Sequence, residues 1–167
     1  MTIERMLENV QRLERELPTG SVMGRVLMKQ EDAIIAAQRQ QLFEGKDSDG
    51  NDMRPYYSED LKPEGWFHSK DSAMRYAMWK QTGIAYPVQA QRNPDAPNLY
   101  INGKFHSELQ VGFMSDSVGI IPSTPYAAGI MAKYGMDKFG LSMQKWSEIM
   151  RLGKDDLLKR MKEVIYG

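Results

Sequence analysis

Gln110-Val111-Gly112-Phe113-Met114 and, three residues on, Val118-Gly119-Ile120-Ile121 decide how this chain folds. Branched and aromatic residues suit a pleated surface. Ser115-Asp116-Ser117 between the two runs suits a reversal. The sequence therefore predicts an antiparallel hairpin over about 110–121, with alternate residues turned towards a core. Pro122 and Pro125 end the pairing, since proline donates no hydrogen bond to a ladder.

Immediately upstream, Asn102-Gly103 admits two readings. As a type I′ turn it joins a strand at 99–101 to one at 104–111. Alternatively Asn102 caps a short helix in which Phe105 and Leu109, four apart, face inward. Phe105-His106-Ser107-Glu108-Leu109 lacks strict alternation, which favours the helix. Downstream, 126–134 reads as a small-residue helix that starts at Tyr126 and is closed by Gly135. Ser142 caps a helix carrying Met143, Trp146, Ile149 and Met150, and a last helix spans 155–165 with Leu157, Leu158, Met161, Val164 and Ile165.

The N-terminal part is helical by periodicity. Ile3, Met6, Leu7, Val10, Leu13 and Leu17 form one apolar stripe, ended by Pro18 and Gly20. A second long helix is expected over 21–43, apolar nearly all round at Ala33-Ile34-Ile35-Ala36-Ala37 and stopped by Gly45. A further helix is expected over 70–82, capped by Ser69, with Met74, Ala77 and Met78 as its buried stripe and Tyr76 and Trp79 beside it. Together these give an α+β fold: a small antiparallel β-sheet packed against several helices, with long N-terminal helices and a C-terminal helix. Residues 1–20 form a helix available as an arm for a partner, and 21–167 form one α+β domain with an insert near 66–97.

With 167 residues, one domain buries roughly 70% of the surface its unfolded chain exposes. No cysteine is present, which excludes a disulfide framework and a thiolate zinc site. Lys+Arg and Asp+Glu both number 22, so there is no overall basic excess for gripping nucleic acid, although a local basic face is compatible with the balance. No stretch approaches the ~20 apolar residues of a membrane span, and the N-terminus lacks a signal-peptide core. A soluble, cytosolic product with no membrane contact is expected. Thirteen methionines against five phenylalanines fit adaptable packing, in cores or at partner surfaces.

Groups suited to chemistry are sparse. Asp47, Asp49, Asn51 and Asp52 invite comparison with a calcium loop, but from Asp47 glycine falls at position 4 and serine at position 12, so a tight turn is expected. His68 and His106 have no cysteine to join them in a metal site. No serine lies in a Gly-x-Ser-x-Gly elbow, and no phosphate-cradling glycine loop occurs. Neither an enzyme nor a cofactor is expected.

The order of blocks resembles the tail-completion, or virion morphogenesis, proteins of tailed bacteriophages and the related head-to-tail joining components. The blocks are Gly50-Asn-Asp-Met-Arg-Pro-Tyr-Tyr, Leu99-Tyr-Ile-Asn-Gly103-Lys-Phe105, the hairpin, Tyr126-Ala127 with Tyr134-Gly135, and Phe139-Gly140-Leu141-Ser142. The resemblance implies a virion subunit that closes into a homo-oligomeric ring at the neck, portal or tail. It implies neighbouring connector, portal or tail proteins as partners, and genomic DNA passing through the lumen without tight binding. It places the protein in the virion, and in the host cytoplasm during assembly. Gly103, Phe105, Leu109, Val111, Phe113, Ile120, Tyr126, Gly135, Phe139 and Leu141 are the structural and assembly residues it implies. The first helix and the 46–67 loop would meet the next protein in the stack. A soluble non-enzymatic adaptor is the alternative that composition equally allows.

Overall fold

The computed structural model describes residues 3–16, 21–55, 67–81, 96–100, 103–114 and 117–166. Among these the fold is α+β, with seven α-helices and one two-stranded antiparallel sheet. Asn102, the Ser115-Asp116 part of the expected turn, and much of the 46–67 loop and 66–97 insert lie outside the described residues.

Helix α1, Ile3–Glu16, lies against the C-terminal helix, and Asn9 Nδ2 donates to the Ile165 carbonyl at 2.7 Å. Leu7, expected in its buried stripe, is instead 58% exposed. The expected second long helix is two helices, α2 at Ser21–Met28 and α3 at Glu31–Phe43. The break falls at Lys29-Gln30, where the Gln30 N–H bonds to the Leu27 carbonyl, three residues back, at 2.9 Å. Glu31 and Asp32 then occupy the first turn of α3, where carboxylates favour a helix start.

Helix α4, Lys70–Gln81, turns Ala73, Ala77 and Lys80 inward, while Met74 and Met78 are exposed. That corrects the expected Met74–Met78 stripe. The small face fits because Phe67 and Tyr76 fill the space beside the alanines. Short helix α5, Lys104–Ser107, bears out a helix after Asn102-Gly103, but its cap is Gly103 rather than Asn102 and it ends before Leu109, which opens the first strand. Gly103 has φ +80°, and a Cβ there would sit 2.8 Å from the Tyr100 hydroxyl, so only glycine fits.

Strands β1, Leu109–Phe113, and β2, Val118–Pro122, pair as predicted, with Val111 opposite Ile120 and Phe113 opposite Val118. Pairing runs on through Pro122, opposite Leu109. Helix α6, Ala127–Tyr134, ends at Gly135, whose φ of +93° leads into a 3-10 turn at Met136–Lys138. The two expected C-terminal helices are one, α7, Met143–Tyr166. Gly153 does not break it. A lone helical glycine costs about 1 kcal/mol relative to alanine, and here it lets Val26 of α2 approach to 2.9 Å from where a Cβ would be.

Two apolar clusters form the core. One gathers Leu42, Met53, Leu99, Phe105, Leu109, Ala127 and Ile130; the other holds Leu27, Ile34, Leu141 and Ile149. Ile120 packs against both and joins them through the hairpin. Each fully buried leucine or isoleucine here is worth about 1.5–3 kcal/mol. Polar groups brace the same interior. Gln41 Nε2 donates to the carbonyls of Asp47 (2.9 Å) and Gly140 (2.7 Å), and its Oε1 accepts from the Ser142 N–H (2.9 Å). One buried side chain thus ties α3 to the acidic loop and to the entry of α7. No helix among the described residues is long and apolar enough to cross a membrane.

Candidate assembly surface

The hydrogen bonds that flank the ladder fix which backbone groups of the hairpin face outward. Met114 N–H bonds to the Ser117 carbonyl (2.9 Å) at one end, and Ser123 N–H bonds to the Glu108 carbonyl (3.1 Å) at the other. In an antiparallel pair, hydrogen-bonded and non-hydrogen-bonded pairs alternate. Residues 110 and 121, and 112 and 119, therefore bond across the ladder. Leu109, Val111 and Phe113, like Val118, Ile120 and Pro122, turn their main-chain groups to the two outer edges. Pro122 is tolerated inside the pairing for this reason: the N–H it lacks would point away from β1. It also blunts the β2 edge at one end, leaving Val118 and Ile120 as that edge's donors.

The two faces of the hairpin differ sharply. Val111, Phe113, Val118 and Ile120 pack inward on the core clusters. The outer face carries Gln110, Gly112 and Met114 opposite Gly119 and Ile121, with the two glycines paired across the strands. Ile121 lies over Gly112, its Cδ1 3.2 Å from where a Cβ would be, and Met114 Cε lies 3.5 Å from the equivalent point at Gly119. Ile121 is 50% exposed and Met114 61% exposed. The result is a flat apolar plate with no charged side chain on the strands themselves.

Beyond the end of β2 lies a shallow groove of about 420 Å³ lined by residues 122–125 with Ala127, Ala128, Met131, Ala132 and Met136. No charged residue lines it. Methionine and alanine walls of this kind accept apolar partners of varied shape.

The residues that the sequence singles out lie mostly behind this surface. Phe105, Leu109 and Leu141 are buried, and Ile120 and Phe139 pack on the first cluster. Val111 and Phe113 pack on the second. Gly103 and Gly135 hold left-handed turns at helix ends. Tyr126 stands apart: it is exposed at the start of α6. Most of the set is thus interior, whereas Met114 and Ile121 on the outer face of the hairpin are exposed.

A second polar cluster lies inside the molecule. Lys80 is buried and donates to Asn98 Oδ1, which also accepts the Tyr100 N–H at 3.1 Å. His106 Nε2 donates to the Asn98 carbonyl at 2.8 Å, and its ring stacks 4.3 Å from Phe43. Its Nδ1 has no hydrogen-bond partner among the described residues. Burial pushes His106 down to about 4, against the pull of the Asn98 hydrogen bond and with the help of nearby Lys80 and Arg39. Burial alone lowers Lys80 to about 8. His106 is 3% exposed, and the cluster links the 96–100 segment to α4 through Lys80 and to α5 through His106.

The acidic loop is a tight turn held by its own Asp47 and braced by Gln41 and Lys138. Asp47 Oδ1 accepts the N–H groups of Asp49 (3.0 Å) and Asn51 (2.9 Å), and Lys138 Nζ sits 2.7 Å from Asp49 Oδ2. No group of three or more metal-ligating side chains converges among the described residues. Comparisons with family models, curated proteins and solved structures match nothing.

Proposed function

We propose that this chain is a non-enzymatic structural subunit of a tailed-phage virion. It closes into a homo-oligomeric ring in the head-to-tail connector, neck or tail-completion assembly, next to connector, portal or tail proteins. Genomic DNA passes through the lumen. The subunit waits in the host cytoplasm and ends in the virion. The observation that carries the reading is the hairpin: two edges of outward-facing main-chain groups and an outer face of glycine, methionine and isoleucine, with a separate uncharged groove beyond Pro122. Unpaired edges are templates for a neighbour's backbone, and a heterologous contact repeated about an axis closes a ring. A stable contact of this kind buries at least roughly 1,000 Å², which the plate and groove together can contribute to.

The test is the double variant Met114→Lys/Ile121→Lys. Both side chains are exposed, so far-UV circular dichroism and the urea midpoint should stay near those of the parent. Self-association, followed by light scattering, should be lost, because each new ammonium must be desolvated at the contact. A doubly substituted chain that assembles like the parent would remove the hairpin face from the interface.

A further inference from the structure

Helix α7 distributes its charges unevenly. Of its acidic residues, Asp156 pairs with Lys29 (3.4 Å) and Glu148 with Lys145 (3.5 Å), and Glu163 is likewise engaged. Arg151, Lys154, Lys159 and Lys162 are all exposed, and none has an ion-pair partner among the described residues. Asp155, also exposed, is the one acid left within their reach. At 100° per residue the four cations fall within about 140° of arc, and they extend about 16 Å along the axis. The opposite side of the helix carries Trp146, Ile149 and Gly153 against the core and α2. Arg151 with Lys154, and Lys159 with Lys162, are like-charge pairs three apart, each costing a few tenths of a kcal/mol.

We infer that the stripe Arg151, Lys154, Lys159 and Lys162 is a sequence-independent contact for the phosphate backbone of duplex DNA. Four cations in a row match a polyanion with regularly spaced phosphates. Anionic lipid is the poorer match, because a membrane-surface helix sets a row of apolar residues beside its cations. Here Ile149 and Gly153 are turned into the protein, and the exposed apolar side chains, Met143, Met150, Leu152, Leu158 and Tyr166, are scattered over about 200° of arc rather than gathered in one row beside the cations. The net charge of zero keeps the whole-chain affinity low, so the contact is local, weak and salt-sensitive. This deepens the ring reading by naming the surface that meets the DNA, yet it is measurable on the free chain.

The experiment is a titration of the full chain against a fluorescent DNA duplex by anisotropy over a range of salt, with light scattering on the same samples. Four phosphate contacts predict a slope of log K against log salt of about −3.6, and about 100-fold weaker binding at 200 than at 50 mM salt. The variant Arg151→Gln/Lys154→Gln/Lys159→Gln/Lys162→Gln should keep its circular dichroism and lose binding, and Lys162→Gln alone should flatten the slope by about one unit. A parent chain that ignores DNA at low salt, or binds phosphatidylserine vesicles and not DNA, overturns the inference. So does a folded quadruple variant that binds as the parent does. Rings that ignore DNA would sink the stripe alone, whereas a DNA-binding monomer would sink the ring alone.

Discussion

At the scale of single residues, the most informative side chains are polar ones held inside. Gln38, Gln41, Lys80, Asn98 and His106 are all buried, and nothing in their sequence context separates them from surface residues. A glutamine on a mixed helix is ordinarily solvated. Only the tertiary fold brings Gly140 and Ser142 to Gln41, or the 96–100 segment to Lys80. The periodicity of α3 still marks Ile34 and Leu42 as core. His106 shows what burial does to a titrating group. Its folded pKa, about 4, lies below the ordinary 6.5, so the folded state binds fewer protons. Its stabilising contribution is complete above pH 6.5 and fades as pH falls towards 4, by an amount on the order of 3 kcal/mol. Urea unfolding of the parent and of His106→Leu at pH 7 and pH 4.5 should show the parent losing more stability on acidification. Equal losses in the two proteins would mean that another group drives the acid sensitivity.

At the scale of elements, the hairpin was legible because alternation, paired glycines and a polar turn agree with one another. The register places Val111, Phe113 and Ile120 inward as that alternation requires. The helix boundaries were less legible. The α2–α3 break carries no glycine or proline, only the acidic pair Glu31-Asp32 that favours a new start. Gly153 invites a break in α7, yet it serves close packing. A pair of substitutions separates these two uses of glycine. Gly129→Ala in α6 has open space around its new methyl group and should stabilise the protein by about 0.5–1 kcal/mol. Gly153→Ala gains the same helix propensity but drives a methyl into the stiff, buried Val26, and overpacking costs about 1–3 kcal/mol. Urea midpoints should therefore move in opposite directions. A stabilised Gly153→Ala would mean that α2 and α7 can separate at little cost.

At the scale of the whole molecule, the fold puts nearly every residue that the sequence marks as important into one interior. The surfaces left for partners were not legible as such. Met114 and Ile121 become conspicuous only when the hairpin turns both to its outer face, and Met136 only when the turn after α6 leaves it exposed. The same holds for the cations of α7, which are interspersed with acids along the sequence and stand out only once Asp156 pairs with Lys29 and Glu148 with Lys145. The proposed ring rests on the apolar outer face of the hairpin and on the outward main-chain groups of its two strands. The most direct test of that account is the mass of the purified chain by light scattering across concentration, with electron microscopy of whatever large species forms. The account predicts a single discrete assembly, an integer multiple of the 19.1 kDa chain, that closes into a ring. A mass that stays at 19.1 kDa over the whole range would contradict it.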